Sequence, residues 1–173
     1  MSTLIQELFN EIKNEVVRLL DEKNTMGAFK KLNASIKQYS SSGDLYAFKV
    51  IILQDMGDDP AIIQDTTQAL DLGLKYRDDL EKDLYLYRAK AYNTLGEYQN
   101  AISDTSKVIS LDPKSSLGYG LRAEAYCMMD PPQLQLALED SDKAIELDPN
   151  EPFARRLMVT GTDLGTRRLD SIF

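Results

Sequence analysis

The sequence predicts an all-α fold, a solenoid of stacked antiparallel helix pairs, on the strength of one recurring phrase and one spacing. Residues 107–116 read KVISLDPKSS and residues 143–152 read KAIELDPNEP, with Pro113 and Pro149 lying 36 residues apart. In the first phrase an apolar stripe at helical spacing (Val108, Ile109, Leu111) runs into Asp-Pro and stops. Proline donates no N–H and clashes with the preceding turn, so Leu-Asp-Pro ends a helix. A recurrence of about 20–50 residues marks a chain built from repeated supersecondary units.

The 82–115 window is the clearest unit. Tyr85, Ala89 and Tyr92 share one face of a first helix, Leu95-Gly96-Glu97 makes the reversal, and Ala101, Ile102, Thr105, Val108 and Ile109 line a second helix. The 116–151 window repeats these faces as Tyr119, Ala123 and Tyr126, then Ala137, Leu138, Ser141, Ala144 and Ile145. Its turn, Asp130-Pro131-Pro132, is longer by two residues, which a loop absorbs at small entropic cost. The 43–81 window offers Tyr46, Val50 and Leu53, a turn at Gly57, then Ile62, Ile63, Thr66, Ala69 and Leu70, with Gly73 standing in for the proline stop. Asp65-Thr66 there echoes Asp104-Thr105. The 9–42 window is more divergent, with Ile12, Val16 and Leu19 followed by Ala28, Phe29, Leu32, Ser35 and Ile36. Residues 152–173, carrying Phe153, Leu157 and Leu164 among arginines, suit a capping helix that covers the last apolar face. The organisation expected is therefore a single domain over 1–173, with units 9–42, 43–81, 82–115 and 116–151 and a cap.

Composition narrows the function. The chain has 28 acidic and 20 basic residues and a net charge of −8, which opposes binding to nucleic acid or an anionic membrane surface. No stretch is apolar enough to insert directly into a bilayer. With one cysteine, Cys127, no internal disulfide can form, and a reducing compartment, the cytoplasm, is the expected location. The chain has no histidine, so the commonest general base and zinc ligand is missing. A lone cysteine makes no thiolate metal cluster, and the glycines form no phosphate-binding motif. Asp58-Asp59 and Asp78-Asp79 fall in turns and connections, where carboxylates cap helices. No enzymatic activity, cofactor or metal is expected.

The columns of a large aromatic, a small residue four positions later, a second aromatic, a glycine turn, an alanine and a terminal Leu-Asp-Pro resemble the tetratricopeptide repeat (TPR). Tyr85, Ala89, Tyr92, Gly96, Tyr98, Ala101, Val108 and Pro113 carry the resemblance in one window, and Tyr119, Ala123, Tyr126, Ala137, Ala144 and Pro149 in the next. Physically, the small residues let paired helices approach closely while the tyrosines fill the space between units, so the aromatics read as packing. The resemblance implies a right-handed superhelix whose first helices line a concave groove that holds a peptide or helix of a partner protein. Carried onto this chain, the groove comprises Phe48, Ile51, Leu86, Tyr87, Lys90, Asn93, Leu117, Leu121, Glu124 and Met128. Phe48, Tyr87, Leu121 and Leu157 share one repeated column, read as exposed apolar side chains suited to an amphipathic segment. The column that holds Cys127 faces the same groove, where a small buried residue is the expected role. Glutamate at Tyr87 and Leu121 is thus expected to abolish capture without unfolding.

The expected function is a non-catalytic protein-interaction module, adaptor-like or co-chaperone-like. A secretion-type chaperone that masks an apolar cargo segment, and a structural subunit docking through Leu4, Ile5, Phe9, Ile172 and Phe173, are the alternatives. The resemblance also makes one subclass testable: TPR domains that grip the acidic C-terminal tail of cytosolic chaperones use a lysine, two asparagines, a lysine and an arginine. The matching positions here are Lys13, Val17, Phe48, Asp83 and Tyr87, or, one window on, Ala47, Ile51, Tyr87, Leu117 and Leu121. Only Lys13 agrees, and a terminal carboxylate without cations has little to pair with. Calorimetry with an acidic chaperone C-terminal peptide should register no binding; micromolar affinity would overturn this reading.

Overall fold

Helix follows helix because each apolar stripe is bounded by residues that cannot continue it. The structure, a computed structural model, describes residues 2–75 and 80–150, so the expected cap at 152–173, including Leu157, lies outside the described residues. The helices are α1 (Ser2–Asp21), α2 (Thr25–Gln38), α3 (Gly43–Met56), α4 (Asp59–Leu72), α5 (Glu81–Thr94), α6 (Tyr98–Leu111), α7 (Ser116–Met128) and α8 (Leu134–Leu147). No strand occurs among the described residues. The chain divides into two compact units, residues 1–87 and 88–173.

The two Leu-Asp-Pro phrases end their helices in the same way. Asp112 and Asp148 are extended (φ −139°, ψ 90° and φ −144°, ψ 105°), the conformation imposed on a residue before proline, and their N–H groups still bond back to Val108 O and Ala144 O. Each aspartate then accepts a backbone N–H two residues on, from Lys114 at 3.1 Å and Asn150 at 2.9 Å. Ser115 Oγ caps α7 by accepting the Gly118 N–H. Gly57, at φ 68°, closes α3 in the left-handed conformation that glycine adopts without strain.

In the first unit, α1 packs on α2, α2 on α3 and α3 on α4. Its core joins Phe9, Ile12 and Val16 of α1, Ala28, Leu32 and Ile36 of α2, and Leu45, Phe48 and Ile52 of α3. Each fully buried side chain of this kind contributes about 1.5–3 kcal/mol. Backbones also approach closely: a Cβ on Gly43 would overlap Gly73 O and come within 2.6 Å of Ala69 O. In the second unit, α7 packs between α6 and α8. Tyr92, Tyr98 and Tyr126 pack around Ala101, Ile102 and Ala125, and a Cβ on Gly118 would sit 2.9 Å from Val108 Cγ1. Small residues set the helix spacing and aromatic rings fill the remainder.

One charged pair ties the two helices of each pair together. Lys49 of α3 meets Asp65 of α4 at 2.7 Å, Arg88 of α5 meets Asp104 of α6 at 2.7 Å, and Arg122 of α7 meets Asp140 of α8 at 2.7 Å. Both arginines are bidentate, with second bonds of 2.8 Å and 2.9 Å. The hydrogen bond to Asp140 raises the Arg122 pKa above the ordinary guanidinium value, with burial opposing it. Between α1 and α2 the same two columns hold Glu15 and Lys31, with the charges exchanged. Beside the aspartates runs a column of fully buried side chains, Leu32, Thr66, Thr105 and Ser141. Thr105 Oγ1 and Ser141 Oγ donate to the carbonyls four residues back, both at 2.7 Å.

The Arg88 and Asp104 side chains are only 15% and 7% exposed, so removing one partner strands a charge away from water. Arg88→Met should lower the stability measured by urea unfolding by about 3 kcal/mol, and the double variant Arg88→Met/Asp104→Leu should regain most of it. A double-variant loss equal to the sum of the Arg88→Met and Asp104→Leu losses would show that the pair is not coupled.

Candidate partner-binding face

The groove residues expected from sequence divide between the two units. In the first, Phe48 is 8% exposed and belongs to the core cluster with Phe9, Ile12 and Val16, while Ile51 is half-buried against that cluster. Leu86 is likewise 8% exposed, and Tyr87 is half-buried. In the second, Leu121 is 8% exposed, whereas Lys90 is exposed and Asn93 and Glu124 are half-buried. Leu117 and Met128 stand out at 47% and 42% exposure.

These values correct one expectation. Phe48 and Leu121 do not form a row of exposed apolar side chains; both are packed. The physical reason is that a position on the first helix of a pair is shared between the outward face and the seam with neighbouring helices, and a large apolar side chain turns toward the seam, where it leaves water. Cys127 is buried as well, at 8% exposure beside Ala137.

The second unit keeps a continuous face on α7. Leu117, Leu121, Glu124 and Met128 follow one another at i, i+4, i+7 and i+11, so they form one stripe along the helix. The α5 side of this face is fixed by Asn93, whose Nδ2 donates to Leu121 O at 2.9 Å and to Glu124 Oε2 at 3.1 Å. Asn93 Oδ1 is buried with no hydrogen-bond partner among the described residues, and an unpaired buried acceptor is costly. The arrangement presents two exposed apolar side chains at the ends of the stripe and an oriented carboxylate between them. Lys90, on α5, adds a cation on the exposed side of that helix. Such a face carries two apolar anchors and a carboxylate, groups suited to an extended or helical peptide.

Two features escaped the sequence reading. The first is the cross-helix ion pair, although Glu15, Lys49, Arg88 and Arg122 recur at spacings of 34, 39 and 34 residues, in step with the repeat. The second is the Asn93 bridge, which has no periodic signature because among the described residues it occurs at one level. Among the described residues no group of three or more acidic, histidine or cysteine side chains could hold a metal. Nor is any described helix long and apolar enough to cross a membrane.

No family model matches the chain. A 58 kDa phosphoprotein of Plasmodium berghei is 30% identical over 107 residues, which is 62% of this chain and 24% of that protein, so the chain spans about a quarter of the relative's length. Among solved structures, MamA from Desulfovibrio magneticus RS-1 superposes with a TM-score of 0.70 at 19% identity, covering 81% of this chain and 75% of that one. A tetratricopeptide repeat protein from Parabacteroides merdae superposes with a TM-score of 0.68 at 20% identity, covering 86% of this chain and 56% of that one.

The burial of Leu121 changes what substitution there should do. Leu121→Glu places a charge in a packed seam and should destabilise the fold by about 3 kcal/mol in urea unfolding. A stability equal to that of the unsubstituted chain would show that the position is open to water.

Proposed function

We propose that this chain, which has the tetratricopeptide-repeat fold, is a non-catalytic protein-interaction module that takes a peptide or helical segment of a partner protein on the α7 face of its second unit. The α7 stripe carries this reading, because Leu117 and Met128 are exposed while Asn93 locks α5 against α7 through Leu121 O and Glu124. Exposed anchors on a rigid support lower the ordering cost of binding. Of the groove residues, Lys90, Leu117 and Met128 are exposed and Asn93 and Glu124 half-buried, which supports assigning partner contact to them; Ile51 and Tyr87 are half-buried as well. Phe48, Leu86 and Leu121 are buried.

The role is that of an adaptor or co-chaperone-like subunit working in the cytoplasm, in keeping with an acidic chain that has one buried cysteine. The superposed proteins share the fold; the partner follows from the chemistry of this face. A segment with apolar side chains about three turns apart would span Leu117 to Met128, eleven residues of helix or about 16 Å.

The experiment is capture from cell lysate with the full chain, followed by mass spectrometry, comparing the unsubstituted protein with Leu117→Glu/Met128→Glu. Both positions are exposed, so thermal unfolding should be unchanged. Recovery of the partner should fall about tenfold or more, as for loss of an interface anchor. Unchanged recovery by the folded variant would reject this face.

A further inference from the structure

The outward stripes of α2 and α8 occupy equivalent positions in the repeat and carry opposite charge. Lys30 and Glu139 each lie one residue before the inward partner of the cross-helix pair, Lys31 and Asp140, and Lys37 and Glu146 lie six residues after it. All four are exposed. At the same two levels α4 has Gln64 and Asp71, and α6 has Ser103 and Ser110. The first helix pair is thus basic at these levels and the fourth acidic.

The helices around these residues reinforce the contrast. Between Thr25 and Gln38, α2 has three lysines and no acidic residue. The exposed side of α8 adds Asp142 to Glu139 and Glu146, with Lys143 as its one cation. Glu139 Oε1 accepts from Gln135 at 2.9 Å and Glu146 Oε2 from Lys143 at 2.8 Å, so each carboxylate is oriented and keeps a second oxygen. Each stripe also starts with an exposed apolar side chain, Met26 at 52% and Leu136 at 40%.

We infer that copies of this chain associate through a contact between the outer stripe of α2 in one copy and the outer stripe of α8 in another. Laid parallel, the two helices set Lys30 against Glu139 and Lys37 against Glu146, since both charges are separated by seven residues, about 10 Å of helix rise. The same register brings Met26 beside Leu136. The occupant is a second copy because the complement in sign, spacing and apolar position is supplied by this chain. The contact is heterologous: it uses different surfaces of the two copies and leaves one stripe of each kind unused, so the assembly grows with concentration unless it closes into a ring. None of these residues belongs to the Leu117–Met128 face, so this contact and partner capture succeed or fail separately.

Light scattering and sedimentation of the full chain over a wide concentration range test the inference. At about 0.1 M salt, where the Debye length of about 10 Å screens the net repulsion between acidic copies, the mean mass should rise with concentration. At about 1 M salt, where the length is about 3 Å, the rise should shrink. Lys30→Glu/Lys37→Glu and Glu139→Lys/Glu146→Lys should each weaken association about tenfold or more, with glutamine replacements as milder versions if thermal unfolding shows a damaged fold. An equimolar mixture of the two charge-reversed proteins should associate again, because acidic α2 then meets basic α8. A chain that stays monomeric at every concentration leaves the α2 stripe to an acidic segment of some other protein and overturns the proposal. Association that ignores salt or the substitutions, or a mixture that does not recover, overturns it equally.

Discussion

The charged pair that joins the two helices of each unit, Lys49–Asp65, Arg88–Asp104 and Arg122–Asp140, sets the level at which those helices meet, and every surface described above is positioned relative to it. Partly buried ion pairs contribute little net stability, because desolvation offsets much of the attraction; their use is in choosing one arrangement over another. A helix pair held only by alanines and leucines could slide by a turn at modest cost. With a bidentate guanidinium facing a buried aspartate, a one-turn slip strands both charges. Arg122 extends the constraint further, since its Nη1 also donates to Ser106 Oγ on α6 at 3.1 Å.

The exchanged polarity of Glu15–Lys31 acts on the same choice. Repeated helices resemble one another, and wrong pairings between units are the characteristic hazard of such arrays. If α1 took the place of α3 against α4, Glu15 would face Asp65; if α3 took the place of α1 against α2, Lys49 would face Lys31. Both alternatives bring like charges together, so the reversal distinguishes the first pair from the second. Cation–π contacts add to the same levels, with Lys49 over Phe29, Arg88 over Tyr92 and Arg122 over Tyr119.

Once the helix level is fixed, each first helix has one direction toward its pair mate, another toward the neighbouring pair and a third toward water. The α7 stripe divides along these lines. Leu121 turns into the seam, where its carbonyl is held by Asn93, while Leu117 and Met128 at the helix ends remain exposed. The second helices present their outward stripes elsewhere, with lysines on α2 and carboxylates on α8. A module of this kind has two independent sets of exposed chemistry, one on a first helix and one on the second helices.

The all-α class and the helix stops near Gly57, Gly73, Gly96, Pro113 and Pro149 were legible in the amino-acid sequence. The 3.6-residue apolar period, the Leu-Asp-Pro stops at Pro113 and Pro149 and the glycines at 57, 73 and 96 are local signals, and local backbone chemistry is enough to read them. The alanine and tyrosine columns were legible too, because packing at a repeated level requires repeated residue sizes. What the tertiary structure alone decided is which side of a half-apolar helix meets a neighbour and which meets water. Phe48 and Leu121 read as candidate contacts because the tetratricopeptide resemblance puts their column on the groove, and the structure buries both. The Asn93 bridge and the pairing of Lys49, Arg88 and Arg122 with aspartates 16 to 18 residues away likewise depend on how two helices are set side by side. Burial and hydrogen-bond partnership are properties of neighbours, and a linear pattern determines the face a residue occupies without determining what lies against it.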